Sequence, residues 1–113
     1  MDAFVQPLYE LADFDAIIRQ LKKPGIVQVS GCLDSQKAHF TNGLLREFPF
    51  RLIVAENDLK AKAFYEDFRL YDPEVLYYPA RDLIFYQADI HGNLLTRQRI
   101  QVLRALLERE EVT

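Results

Sequence analysis

The residue types best suited to chemistry lie in the turn after the first predicted strand. Gly31 and Lys37 fall in register with the phosphate-loop pattern G-x-x-x-x-G-K-[ST], with a predicted strand before them and a predicted helix after them. Two positions depart from that pattern. Gln36 replaces the second glycine, whose freedom lets backbone N–H groups reach a phosphate, and Ala38 has no hydroxyl to bind Mg²⁺.

The same turn carries a charge that disfavours a nucleotide. Asp34 places a carboxylate where a polyphosphate would lie, and either Asp34 or Ser35 is suited to cap the following helix. We therefore interpret the turn as a capped helix start that retains part of a phosphate loop, and we expect no bound cofactor. The remnant consists of Gly31, Ser35 and Lys37.

Metal and nucleophile chemistry have weaker support in the sequence. His39 and His91 are far apart along the chain, and no Cys, His and carboxylate cluster has metal-ligand spacing. Cys32 is the single cysteine, close to a predicted helix start that could lower its thiol pKa, although a lone Cys after a strand is more often a core residue. We predict no metal site and no catalytic residue.

The last predicted helix carries a polar stripe. Arg97, Gln101, Arg104 and Glu108 share one face at helical spacing, which is typical of solvent exposure. Arg99 falls instead within the apolar arc of the helix. Two interpretations of Arg99 stay open: its stem lies along the edge of the core, or its guanidinium pairs with a carboxylate of this or a neighbouring domain.

An aromatic segment precedes that helix and could bind a partner. Residues 77–86 combine aromatic side chains with an arginine, a composition found where proteins anchor partners or stack on bases. A loop folded over a sheet edge is the more common explanation. The candidate contact residues are Phe85, Arg97, Arg99 and Arg104.

Strands are predicted to alternate with helices, which favours an α/β fold with parallel, right-handed βαβ units. Branched residues predict strands, and apolar spacing and capping residues predict helices. Residues 110–113 resemble the start of a fourth strand. The predicted helices cover about 8–22, 34–48, 57–71 and 93–110, and the predicted strands cover 26–30, 51–55 and 75–78.

Composition limits the class of protein. The chain has 113 residues, half of them apolar and 27% charged, which indicates one globular domain rather than a disordered segment. A net charge of −3 argues against a free-standing nucleic-acid binder. A single cysteine, no long apolar run and no signal-peptide pattern at the N-terminus predict a cytoplasmic location.

The order of these features resembles the N-terminal, UvrB-like region of the bacterial transcription-repair coupling factors (Mfd). The resemblance covers nearly the whole chain, although no single motif decides it. It is carried by the turn Gly31–Ala38, Leu52-Ile53-Val54, Tyr78-Pro79, the loop Ala88–Gly92, and Arg99-Ile100-x-x-Leu103.

This resemblance implies a partial RecA-like sheet, similar to that of phosphate-loop NTPases, flanked by helices and truncated. Residues 1–113 would form a single α/β domain, the N-terminal UvrB-homology fragment of a larger multidomain protein. UvrB-type loops keep Gly-Lys-Thr where this chain has Gln36-Lys37-Ala38. The resemblance therefore implies no catalysis and no cofactor here, whereas the parent protein is a DNA translocase whose separate motor module uses ATP and Mg²⁺.

The function implied is that of a non-catalytic module. The parent protein uses ATP to release RNA polymerase stalled at DNA lesions and recruits nucleotide-excision repair through UvrA. Expected partners are other domains of the same protein and, through the parent, RNA polymerase, UvrA and double-stranded DNA, with no membrane. Two alternatives stay open: a small nucleotide-binding or phosphoryl-transfer enzyme with an atypical phosphate loop, and a UvrB-like domain that contacts DNA.

Overall fold

Helices joined by extended segments build the chain. The structure is a computed structural model that describes residues 3–80 and 89–113, with the side chains of the second range described from 93 onward. A short 3-10 helix at Gln6–Glu10 precedes four α-helices. These are α1 (Phe14–Leu21), α2 (Asp34–Leu45), α3 (Asp58–Phe68) and α4 (Asp89–Glu108).

All four predicted helical regions are confirmed, with shifted ends. The first region is divided before Phe14, so that the 3-10 helix and α1 share it. Helices α2 and α3 end three residues before the predicted positions, and α4 begins at Asp89 rather than Asn93. Helix α3 begins where Asn57 Oδ1 accepts a hydrogen bond from the Lys60 N–H at 2.9 Å, which makes Asn57 its N-cap.

The predicted parallel, RecA-like sheet is wrong. Residues 26–30, 51–55 and 75–78 form no strand in the described part of the chain, where the sole bridge is a parallel one between Phe50 and Val112. Branched residues favour an extended backbone, but a strand also needs a partner backbone about 4.8 Å away. All three segments contain the branched residues that favour an extended backbone. Almost none of their residues has a neighbouring backbone to pair with.

Two separate apolar clusters hold the helices together. In the first, α2 packs on α1 and the 3-10 helix, and the buried side chains are Leu8, Phe14, Ile18 and Leu44. In the second, α3 packs on α2 and on the two later extended segments, and the buried side chains are Ala38, Phe68 and Val75. Helix α2 thus contributes to both clusters.

Gly43 allows α2 to approach the 3-10 helix and α1 closely. A Cβ atom at this position would lie 2.4 Å from Leu8 Cδ1 and 3.1 Å from Phe14 Cζ, well inside normal contact distance. The absence of a side chain at position 43 therefore sets the spacing of the first cluster.

Large apolar side chains remain exposed on the extended segments and on α4. The radius of gyration is 16.2 Å, compared with about 13 Å expected for a compact domain of this length.

Among the described helices, none combines the length and apolar content that a bilayer crossing requires. The largest exposed fractions belong to Ile26, Leu52, Val54, Leu59 and Leu107.

Candidate functional site

The turn between Gly31 and Ala38 is the first candidate site. Gly31 has a φ of +89°, in the left-handed region that glycine adopts without strain, and α2 begins three residues later at Asp34. The N-cap is Leu33, and neither Asp34 nor Ser35 caps the helix as predicted. The turn is nevertheless a well-formed helix start, because another side chain supplies the cap.

Gln36 provides that cap. Its Oε1 atom accepts a hydrogen bond from the Leu33 N–H at 3.2 Å. Gln36 stands where a phosphate loop has its second glycine, so the side chain that replaces the glycine also occupies a backbone donor of the turn. A donor satisfied within the protein is not available to a phosphate unless that bond is broken.

Lys37 is also engaged within the turn. Its Nζ atom lies 2.6 Å from Asp34 Oδ1, in an ion pair exposed to solvent. The hydrogen bond from Lys37, and then its positive charge, lower the pKa of the Asp34 carboxyl, and the same bond raises the pKa of the Lys37 ammonium. Both groups are therefore charged at neutral pH and directed toward each other.

Position 38 belongs to the core. Ala38 is 1% exposed and packs in the second cluster with Phe68 and Val75. A phosphate loop needs a hydroxyl at this position that faces the metal. The buried methyl group contacts α3 instead, which gives a packing reason for the departure seen in the sequence.

A cleft of about 510 Å³ lies between the segment before the turn and α2. Val27, Val29 and Phe40 are among its apolar lining residues, and Cys32 and Lys37 also line it. Cys32 is a free, half-buried thiol. Gly31 and Lys37 both line the cleft, whereas Ser35 is exposed and does not line it.

The histidines form no metal site in the part of the chain whose side chains are described, and no group of three His, Cys, Asp or Glu residues there could hold an ion. The His39 ring stacks on Tyr71, with ring centroids 5.1 Å apart, and its Nε2 donates a hydrogen bond to the Phe4 carbonyl. The His91 side chain and the whole of Phe85 lie outside the described residues.

Helix α4 carries the predicted polar stripe. Arg97, Gln101, Arg104 and Glu108 are all exposed, which confirms that interpretation. Arg104 Nε lies 2.8 Å from Glu108 Oε1 in an exposed pair, a type of ion pair that contributes at most about 1 kcal/mol to stability. Arg104 of this stripe is thus paired with a carboxylate of the same face.

Arg99 contacts an aromatic ring, an arrangement that neither interpretation anticipated. Its guanidinium carbon lies 4.4 Å from the centre of the Tyr78 ring, and Nη2 donates a hydrogen bond to the Tyr78 hydroxyl at 2.8 Å. The cation–π attraction and the hydrogen bond join α4 to the segment after Val75. Arg99 therefore acts as a structural link between these two elements.

Two polar contacts in the structure involve residues that the sequence did not single out. Arg51, Asp72 and Thr113 meet where three extended segments converge, and the Thr113 hydroxyl donates to Asp72 Oδ2 at 2.8 Å. The Tyr77 hydroxyl donates to Asp58 Oδ1 at the start of α3. Burial, followed by the hydrogen bond and the charge of Asp58, raises the pKa of Tyr77 to about 12. Neither contact could be predicted from local sequence patterns, because the residues that form it are far apart along the chain.

Comparisons with known proteins give no family for this chain. No protein-family model, no curated protein and no solved structure matches it.

Proposed function

We propose that this chain is a non-catalytic module of a transcription-repair coupling factor and acts in the cytoplasm through contacts with other domains of the same protein. The coupling factor as a whole would use ATP, in its motor module, to release stalled RNA polymerase and recruit UvrA. Support comes from the ordered sequence features that resemble this family and from the geometry of the Gly31–Ala38 turn.

The proposal that the chain is non-catalytic rests on one observation: the polar groups of the Gly31–Ala38 turn bond to each other within the protein. Asp34 pairs with Lys37, Gln36 accepts from a backbone donor, and Ala38 is buried in the core. A nucleotide would have to break the first two interactions and would still lack a hydroxyl for Mg²⁺. The alternative of a phosphoryl-transfer enzyme therefore has less support.

The contact role is supported by the surface of α4. Leu103 and Leu107 are exposed next to the polar stripe of Arg97 and Arg104. A surface that mixes apolar anchors with arginines is typical of interfaces between domains. The alternative of a DNA-contacting domain has less support, because Arg99 contacts Tyr78, Arg104 pairs with Glu108, and the net charge is −3.

Calorimetric titration with ATP and Mg²⁺ tests the non-catalytic part. We expect any binding to be weaker than a Kd of about 100 µM, which corresponds to about 5.5 kcal/mol. Lys37→Ala should not change the result, and Lys62→Ala on α3 is the matched exposed control. Binding tighter than this limit would overturn the proposal, and its loss in Lys37→Ala alone would place the nucleotide at the turn.

A further inference from the structure

Helix α4 carries two stripes of side chains that are offset by one position in the sequence. Val102 and Leu106 face the extended segments 51–55 and 75–78, with which they line a cavity of about 340 Å³. Because each residue turns an α-helix by about 100°, a rotation of α4 by that angle would exchange the two stripes. The inner stripe is Arg99, Val102 and Leu106, and the outer stripe is Ile100, Leu103 and Leu107.

Apolar burial gives only a weak preference between these two rotations. Leu106 of the inner stripe is 47% exposed and Leu103 of the outer stripe is 52% exposed, so the two side chains are covered to a similar extent. Ala105 is the sole buried residue among the described side chains of α4, and its methyl group covers little area. Hydrophobic packing has no preferred direction and therefore does not by itself fix the rotation.

The contact between Arg99 and Tyr78 does depend on the rotation. The guanidinium carbon lies 4.4 Å from the centre of the Tyr78 ring, and Nη2 donates a hydrogen bond to the Tyr78 hydroxyl at 2.8 Å. Both the position over the ring face and the hydrogen bond require a particular direction of approach. The outer stripe has Ile100 where the inner stripe has Arg99, and an isoleucine side chain can form neither contact.

We propose that Arg99, through its contact with Tyr78, is a positioning residue that fixes the rotation of α4. This rotation keeps the outer stripe on the surface, next to Arg97, and presents it to the other domain that binds the module. A single polar residue sets the register of packed helices in a similar way in coiled coils. The inference rests on the proposed function, in which the surface of α4 makes that contact.

The first measurement reports the rotation and needs no partner. In a Cys32→Ser background, Leu106→Cys and Leu107→Cys each place a single thiol on α4, and its rate of reaction with a maleimide is measured. Leu107 is 88% exposed, so the thiol at position 107 should react faster than the thiol at position 106. Adding Arg99→Ala should bring the two rates to within about twofold of each other, because both rotations are then populated.

Arg69 provides the matched control. Its guanidinium carbon lies 5.5 Å from the centre of the Tyr65 ring, a contact of the same kind that does not involve α4. Arg69→Ala should therefore leave the ratio of the two rates unchanged. Tyr78→Phe keeps the ring and removes only the hydroxyl, so its ratio should lie between those of the wild type and Tyr78→Ala.

The second measurement is the affinity for a transcription-repair coupling factor that lacks its own N-terminal region. Arg99→Ala and Tyr78→Ala should each raise the Kd about fivefold, and the double variant should raise it no further, because both changes remove the same contact. Arg69→Ala should bind with the wild-type Kd.

Two results would overturn the inference. One is a ratio of labelling rates that Arg99→Ala leaves unchanged, and the other is a wild-type Kd in Arg99→Ala. Failure of the wild-type chain to bind would overturn the proposed function instead, and the labelling rates would still decide whether Arg99 fixes the rotation of α4.

Discussion

Phe68→Ala should lower the free energy of unfolding by about 3–5 kcal/mol, the range found when a fully buried aromatic side chain is truncated. Phe68 is 0% exposed and lies between α2 and the two later extended segments. Its ring stacks on Phe64, with centroids 5.7 Å apart. Truncation would leave a void where these elements meet.

Urea unfolding followed by circular dichroism measures this effect, with Leu70→Ala as the control. Leu70 lies just beyond the end of α3 and is 74% exposed, so its truncation should change stability by no more than about 0.5 kcal/mol. Similar losses for the two variants would show that the second cluster does not hold the fold together.

Asp72→Ala should destabilise the chain by about 3 kcal/mol, because it leaves a buried arginine without its partner. The Arg51 side chain is 10% exposed, the Asp72 side chain is 19% exposed, and Arg51 Nη2 lies 3.8 Å from Asp72 Oδ2. Asp72 also accepts hydrogen bonds from the Glu74 N–H at 3.1 Å and the Thr113 hydroxyl at 2.8 Å. Its loss therefore removes one ion pair and two hydrogen bonds at once.

A double variant separates charge from packing at this position. Arg51→Met combined with Asp72→Ala removes both charges, so it should be more stable than Asp72→Ala alone by at least about 1 kcal/mol. Asp67→Ala, an exposed carboxylate on α3, is the control and should be close to neutral. Chemical denaturation measures the free energy of unfolding of the wild type, Asp72→Ala, the double variant and Asp67→Ala. A double variant no more stable than Asp72→Ala would contradict the buried-charge explanation.

The helices could be predicted from the sequence because their determinants are local. Apolar residues at helical spacing and the Asn57 cap act within a few residues of each other, and the structure confirms the regions that they indicate. The ends were less certain, since helix ends depend on the contacts around them. Asp89 lies four residues before the predicted start of α4.

The sheet could not be predicted in the same way, because strand pairing is nonlocal. Residues 51–55 have the composition of a strand, yet in the described part of the chain the one bridge joins Phe50 to Val112, and of the segment only Arg51 bonds to Val112. Parallel neighbours are distant in sequence, so no spacing rule shows whether a partner is present. The prediction of a RecA-like architecture was wrong because it assumed that the three extended segments pair with one another.

The candidate site was predictable in part. The register of Gly31 and Lys37, and the departures at Gln36 and Ala38, can be seen in the sequence. The replacement cap by Gln36 could have been found from its three-residue spacing to Leu33. By contrast, the contact of Arg99 with Tyr78 depends on how α4 crosses an extended segment, and local pattern carries no information about that crossing.

The contact role is tested most directly by complex formation. A transcription-repair coupling factor that lacks its own N-terminal region is immobilised, and the binding of this chain is measured by surface plasmon resonance. We predict saturable binding with a micromolar Kd, weakened in the double variant Arg97→Ala and Arg104→Ala and unchanged in Lys62→Ala. The absence of saturable binding by the folded wild-type chain would contradict the proposal that it is a module of such a factor.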